Sequence, residues 1–120
     1  MPSFVAHPLI KSDSIESRLY QELLVARVAE KGNTLIVAPT ALGKTVIAVM
    51  IAAHKLQENP DMKVLFLAPT KPLAVQHYKS FLKFMKLNED EVAVLTGTLN
   101  SKARGEVWEK SKIITATPQA

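Results

Sequence analysis

The chain of 120 residues contains no cysteine. That absence excludes a disulfide scaffold, a thiolate zinc site and a cysteine nucleophile together. Imidazole is the remaining metal option, but His7, His54 and His77 are too far apart in sequence for ligand-like spacing. Long hydrophobic runs are missing too. The longest, Val46–Ala53, has eight residues, where a spanning helix needs about 20. The N-terminus, Met-Pro-Ser-Phe-Val-Ala-His-Pro, has no basic flank followed by a long apolar stretch, so no secretory signal is visible and the cytoplasm is the default expectation. No internal repeat, low-complexity tract or Gly/Ser linker divides the chain.

What is there is the composition of a folded domain. Hydrophobic residues make up 48% and charged residues 22%, close to the globular average and against intrinsic disorder. The net charge of +4 hints at an anionic partner. Short β-rich runs occur at Thr34–Ala38, Lys63–Ala68, Val92–Thr96 and Lys112–Ala116, separated by stretches of helical spacing. Continuous Val/Ile/Leu runs are the pattern of strands covered on both faces, and their alternation with helices predicts βαβ units and a parallel sheet.

The helices are placed by their end signals. Asp13 followed by Glu16 reads as a capping box opening a helix over 14–31, stopped by Gly32, with Ile15, Leu19, Leu23 and Ala26 as its apolar face. A second helix, apolar almost all round and therefore expected to be buried, runs over 43–57 until Asn59-Pro60 ends it. The third opens at Thr70, a candidate N-cap, with Pro72 in the first turn, where a missing N–H costs nothing. Ala74, Tyr78, Phe81, Leu82 and Met85 form its apolar face. A short fourth helix is predicted over 101–110, weakened by Gly105.

Ala38-Pro39-Thr40-Ala41-Leu42-Gly43-Lys44-Thr45 fits the phosphate-loop pattern, with alanine in place of the first glycine. It follows a predicted strand and opens a predicted helix, the context that gives the pattern physical meaning. A loop over Pro39, Thr40, Ala41, Leu42 and Gly43 can aim successive backbone N–H groups at a phosphate, and the following helix adds its positive dipole end. Gly43 lets the backbone come close. Lys44 places a charge on the β- and γ-phosphates, and Thr45 offers a hydroxyl to Mg²⁺. A nucleotide with Mg²⁺ is the expected ligand.

With that loop in place, further segments fall into order: Arg18-Leu19-Tyr20-Gln21, Ala68-Pro69-Thr70-Lys71-Pro72-Leu73, Thr96-Gly97 and Ala116-Thr117-Pro118-Gln119. Together they resemble the first RecA-like domain of superfamily 2 helicases, and within it the branch of the archaeal Hef helicase–nucleases and the Fanconi anaemia M-type DNA helicases. The resemblance covers nearly the whole chain. It implies that Gln21 reads the adenine edge with Arg18 supporting that pocket. It also implies that Thr70, Lys71, Pro72, Leu73, Thr96, Gly97, Thr117, Pro118 and Gln119 grip one nucleic-acid strand by its phosphates, with Gln76 nearby. The implied parent is an ATP-dependent DNA helicase or translocase acting on forked or branched DNA in repair; the RNA-directed, Dicer-like helicases share several of these motifs.

Plainer readings stand beside these. Without the resemblance, Gln21 is an exposed helix residue, and the Thr, Pro and Gly positions are ordinary strand-to-helix turn chemistry. From Lys63 to Lys86 there are five lysines and no acid; Lys79, Lys83 and Lys86 form a stripe that reads first as a solvated helix face. Trp108, between Glu106 and Glu109, reads as a packing residue, and Gln76 and His77 as polar helix positions. Asn88-Glu89-Asp90-Glu91-Val92-Ala93 superficially resembles the family's acidic box, but these acids precede a strand instead of ending one. A turn or helix-end cluster is the better reading. On this reading residues 1–13 are an N-terminal segment, and 14–120 form part of an ATP-binding core ending before the acidic box. The remainder of that domain, a second RecA-like domain and a nuclease domain are the expected missing partners. The chain alone is then expected to bind rather than catalyse.

Overall fold

A computed structural model describes residues 3–31, 44–95 and 101–118. The predicted strand Thr34–Ala38, the loop residues Pro39–Gly43, Thr96-Gly97 and Gln119 lie outside the described residues. The chain forms two compact units, one of residues 1–60 with 84–86, the other of 61–83 with 87–120.

The first unit contains helices α1 (Leu19–Lys31) and α2 (Lys44–Glu58), which pack on each other. In α2 the residues Ile47, Val49, Met50, Ala52, Ala53 and Leu56 are buried, as an all-round apolar helix requires, and it ends at Glu58 just before Asn59-Pro60. The start of α1 departs from expectation. Residues 14–17 are not helical: Phe4 and Glu16 form an antiparallel bridge, the Val5 N–H donates to the Ile15 carbonyl at 2.8 Å and the Ser17 N–H to the Ser3 carbonyl at 2.7 Å. Asp13 has φ 57°, a turn conformation incompatible with the extended backbone of an N-cap. Pairing with the N-terminal segment therefore overrides the local capping signal. The helix opens five residues later, where the Arg18 carbonyl accepts from the Gln21 and Glu22 N–H groups, both at 3.1 Å. Its expected apolar face is also displaced. Leu19 is 72% and Leu23 56% exposed, whereas Gln21 is only 4% exposed.

The second unit is a parallel sheet flanked by helices. Strands β1 (Val64–Leu67), β2 (Val92–Leu95) and β3 (Ile113–Ala116) lie in the order β1-β3-β2, with both ladders parallel. Helix α3 (Lys71–Phe84) follows β1 and helix α4 (Ser101–Lys110) precedes β3. The central strand β3 is buried throughout, as its unbroken apolar run predicts. Its alternate residues serve two layers. Ile114 and Ala116 pack with Leu95 and, from α4, Val107. On the opposite face, the Thr115 hydroxyl reaches the Ala74 carbonyl of α3. Phe66, paired with Thr115 across the ladder, stacks edge-on against Phe81 of α3, with ring centroids 5.5 Å apart. Full burial of a side chain such as Phe81 contributes about 1.5–3 kcal/mol.

β1 corrects the expectation of strands covered on both faces. Leu65 is 51% and Leu67 54% exposed. They alternate with Phe66 and so lie on the α4 side, where the α4 residue Val107 is packed against Leu95, Ile114 and Ala116 of β2 and β3. In α3, Ala74 and Phe81 are fully buried, while Tyr78 and Leu82 are half-buried; Met85, expected on the same face, follows the helix and belongs to the first unit, where it bridges to Ile10. The acidic run Glu89–Glu91 is a single 3-10 turn before β2. The Asn88 N–H donates to the Glu91 carboxylate at 3.0 Å, and Lys112 approaches it at 3.6 Å. It is a turn cluster at the N-terminal edge of the sheet.

Candidate functional site

The second unit builds one edge from three strand ends. Leu67 and Leu95 both pair with Ala116, so all three strands terminate in register and whatever follows them shares that edge. Beyond β1 the ladder continues by one bond, from the Ala68 N–H to the Ala116 carbonyl at 2.9 Å. The chain then turns into α3. The Thr70 carbonyl accepts from the Ala74 N–H at 3.0 Å, and its hydroxyl oxygen accepts from the Leu73 N–H at 3.4 Å, a long N-cap bond. A hydroxyl that accepts in this way keeps its own proton to donate. Thr70, Lys71, Pro72 and Leu73 are exposed. Beyond β3, Thr117 is half-buried and Pro118 exposed. The structure thus brings Thr70–Leu73 and Thr117–Pro118 to neighbouring strand ends, the edge of a parallel sheet where ligands bind.

One turn further along α3, Gln76 is exposed and its carbonyl accepts from the Ser80 hydroxyl at 3.2 Å. Pro72, Gln76, Lys79 and Lys83 help to line a shallow depression of about 340 Å³. His77 departs from the expected polar helix position. It is half-buried, its ring centroid lies 4.6 Å from that of Phe66, and its buried Nδ1 has no hydrogen-bond partner among the described residues. Burial lowers its pKa below the usual 6.5, because the charged form is poorly solvated there.

Lys63, the first of the five lysines in the acid-free stretch, has a structural role. Its ammonium donates to the carbonyls of Trp108, Glu109 (3.3 Å) and Ser111 (2.7 Å), capping the C-terminus of α4, where the helix dipole is negative. It also sits 5.8 Å from the centre of the Trp108 ring. Trp108 itself is 44% exposed, more open than the packing position expected for it.

In the first unit, Lys44 is exposed and Thr45 half-buried, both in the first turn of α2, so the charge and the hydroxyl stand at a helix N-terminus. The loop residues Pro39, Thr40, Ala41, Leu42 and Gly43 lie outside the described residues. Among the described residues no group of three or more His, Asp or Glu side chains could hold a metal. Arg18 is exposed, 3.6 Å from Glu16. Gln21, expected on an exposed helix surface if it had no special role, is buried instead. A buried amide needs its hydrogen-bonding groups satisfied, which a plain surface position would not impose.

Thr115 is the residue that the sequence reading passed over. It is fully buried and its hydroxyl donates to the Ala74 carbonyl at 2.9 Å. The signal was present: a hydroxyl inside an otherwise apolar central strand must find a partner.

Residues 18–120 match the DEAD/DEAH box helicase family. The chain is 45% identical over 116 residues to a putative ATP-dependent RNA helicase of Methanocaldococcus jannaschii, covering 97% of this chain and 15% of that protein. It is 36% identical to the DEAD-box ATP-dependent DNA helicase Fancm of Drosophila melanogaster, covering 94% of this chain and 8% of that one. The crystal structure of the Pyrococcus furiosus Hef helicase domain superposes with a TM-score of 0.84 at 43% identity, over 92% of this chain and 23% of that chain. The chain thus spans less than a quarter of each of these relatives. No helix among the described residues is long and apolar enough to cross a membrane.

Proposed function

The chain belongs to the DEAD/DEAH box helicase family, and from that premise we propose that it forms the ATP-binding portion of a cytoplasmic, ATP-dependent DNA helicase or translocase that acts on forked or branched DNA in repair. The observation that carries the reading is the shared strand edge: Leu67, Leu95 and Ala116 end in register, and the Thr70–Leu73 and Thr117–Pro118 segments issue from it. Phosphate contacts of this kind position a strand without reading its sequence, as a motor that must pass over any sequence requires.

In this reading Lys44 neutralises the β- and γ-phosphates of ATP, the Thr45 hydroxyl helps to hold Mg²⁺, and residues 39–43 supply backbone donors. Bound Mg²⁺ contributes charge stabilisation of the phosphates. Gln21 recognises the adenine edge, as an amide can donate and accept at once, and Arg18 supports it. At the strand edge the Thr70 hydroxyl and the Lys71 ammonium donate to phosphate oxygens, with Pro72, Leu73, Gln76, Thr96, Gly97, Thr117, Pro118 and Gln119 completing the grip. The acidic pair that orients the attacking water, a second RecA-like domain and a nuclease domain belong to other parts of the parent protein. Without them the chain binds and does not turn over.

An RNA-directed motor is the second reading, favoured by the name of the Methanocaldococcus relative. Phosphate contacts alone do not separate the two, whereas a contact to the 2′-hydroxyl does. Competition between matched DNA and RNA forks decides between them. The test of the nucleotide site is Lys44→Ala in the whole protein. ATP hydrolysis is expected to fall by on the order of a hundredfold or more, as loss of a transition-state charge contact does, while nucleotide-free DNA binding stays near the wild-type level. Undiminished turnover would refute the assignment.

A further inference from the structure

We propose that Thr115 is a positioning residue for the nucleic-acid edge, its buried hydroxyl fixing the first turn of α3 against the end of β3. The proposal rests on the reading of that edge given above. Two successive residues of β3 hold the two ends of the Pro69–Leu73 segment. At one end the Ala116 carbonyl accepts from the Ala68 N–H at 2.9 Å. At the other the Thr115 hydroxyl donates to the Ala74 carbonyl at 2.9 Å. The first bond is ordinary ladder continuation, which any side chain allows. The second depends on the identity of one residue. Ala74 closes the turn that Thr70 opens, its N–H bonded to the Thr70 carbonyl, and Thr115 stands two residues before Thr117. One bond between them therefore sets how the two phosphate-contacting segments are spaced.

The hydroxyl is not needed to satisfy the helix. The Ala74 carbonyl lies inside α3, where an N–H four residues on is its regular partner, and it has a second lone pair for Thr115. Valine has nearly the same shape and suits a buried strand. The bond is thus more important for where the turn sits than for whether the chain folds.

The experiment compares wild type, Thr115→Val and Thr115→Ser in the whole protein. Binding of a labelled oligothymidylate strand is followed by fluorescence anisotropy over a salt series without nucleotide, with ATP affinity and the thermal midpoint measured in parallel. Thr115→Val is expected to weaken strand binding about fivefold and to lower the slope of log affinity against log salt by about one phosphate contact. Thr115→Ser is expected within twofold of wild type, with ATP affinity unchanged in both. Should Thr115→Val fold poorly, Thr115→Ala replaces it with the same expected loss. Wild-type affinity and salt slope in the variant lacking the hydroxyl overturn the positioning role alone. A wild-type protein with no salt-dependent strand binding overturns the reading of the edge, and this proposal with it.

Discussion

Replacing Lys63 by methionine keeps most of the side-chain stem and removes the ammonium. Three carbonyls at the end of α4 then lose their donor. The bond to the Ser111 carbonyl is partly buried, and a charged donor there contributes about 1.5 kcal/mol. The other two bonds face solvent and the one to the Glu109 carbonyl is long at 3.3 Å, so together they add about 0.5 kcal/mol after screening. The helix dipole is the partial charge on these same carbonyls and adds nothing further; the cation over the Trp108 ring contributes about 0.5 kcal/mol at an exposed site. Holding a long side chain in one geometry offsets about 1 kcal/mol of this. The net expected loss is about 1.5 kcal/mol, or roughly 6–12 °C in the melting midpoint of a unit this small. Trp108 is the chain's one tryptophan, so its fluorescence reports on this helix end directly in urea titrations. Lys63→Arg should recover part of the loss, and 1 M salt should narrow the gap. A Lys63→Met protein within about 0.5 kcal/mol of wild type, the range of ordinary surface changes, would refute the capping role.

Gly105 lies in the middle of α4 with open space where a Cβ would go. Gly105→Ala is therefore expected to stabilise the unit by about 0.5–1 kcal/mol, read as a higher urea midpoint; a lower midpoint would contradict the open environment. His77 and His7 both have pKa values below 6.5, His77 through burial, His7 through burial first and the charge of His54 second. The unfolded chain therefore takes up protons before the folded one. Stability should be full above the ordinary value, fall as pH drops through about 6.5 and level off below the lowered values. His77→Phe, which keeps a ring against Phe66, should flatten that decline; an unchanged pH profile would show that His77 is not a contributor.

The sequence made α2 and α3 readable because their ends are punctuated. Asn59-Pro60 cannot continue a helix, and Thr70 with Pro72 can hardly avoid starting one. β3 was readable because burial on both faces makes its run apolar apart from Thr115, a β-branched residue that suits a strand. The start of α1 was not, since Asp13 and Glu16 carry the local signal of a cap while Phe4 and Ser3 supply the distant backbone that pulls residues 14–17 into an extended path. Apolar spacing in α1 was ambiguous for a related reason. Leucines at 19 and 23 point one way, and Gln21, Leu24, Val25 and Val28 the other. Burial of Leu24, Val25 and Val28 is partial and that of Gln21 nearly complete. Nor can a strand's own sequence say how far a neighbouring helix reaches, which is what leaves Leu65 and Leu67 uncovered. The strand-edge segments Thr70–Leu73 and Thr117–Pro118 were legible from order and spacing. The Thr115 hydroxyl inside an apolar run announced its need of a partner, but neither its partner nor that of Lys63 was legible, because each acts on backbone carbonyls more than 40 residues away, and a carbonyl leaves no trace in the sequence.

The most direct test is a crystal structure of the whole protein with a non-hydrolysable ATP analogue and a short single strand of DNA. The account predicts the triphosphate at the N-terminus of α2 against Lys44 and Thr45, and strand phosphates against Thr70–Leu73 and Thr117–Pro118. Phosphates gathered at the other end of the sheet, beside the Glu89–Glu91 turn, or a triphosphate out of reach of Lys44, would contradict it.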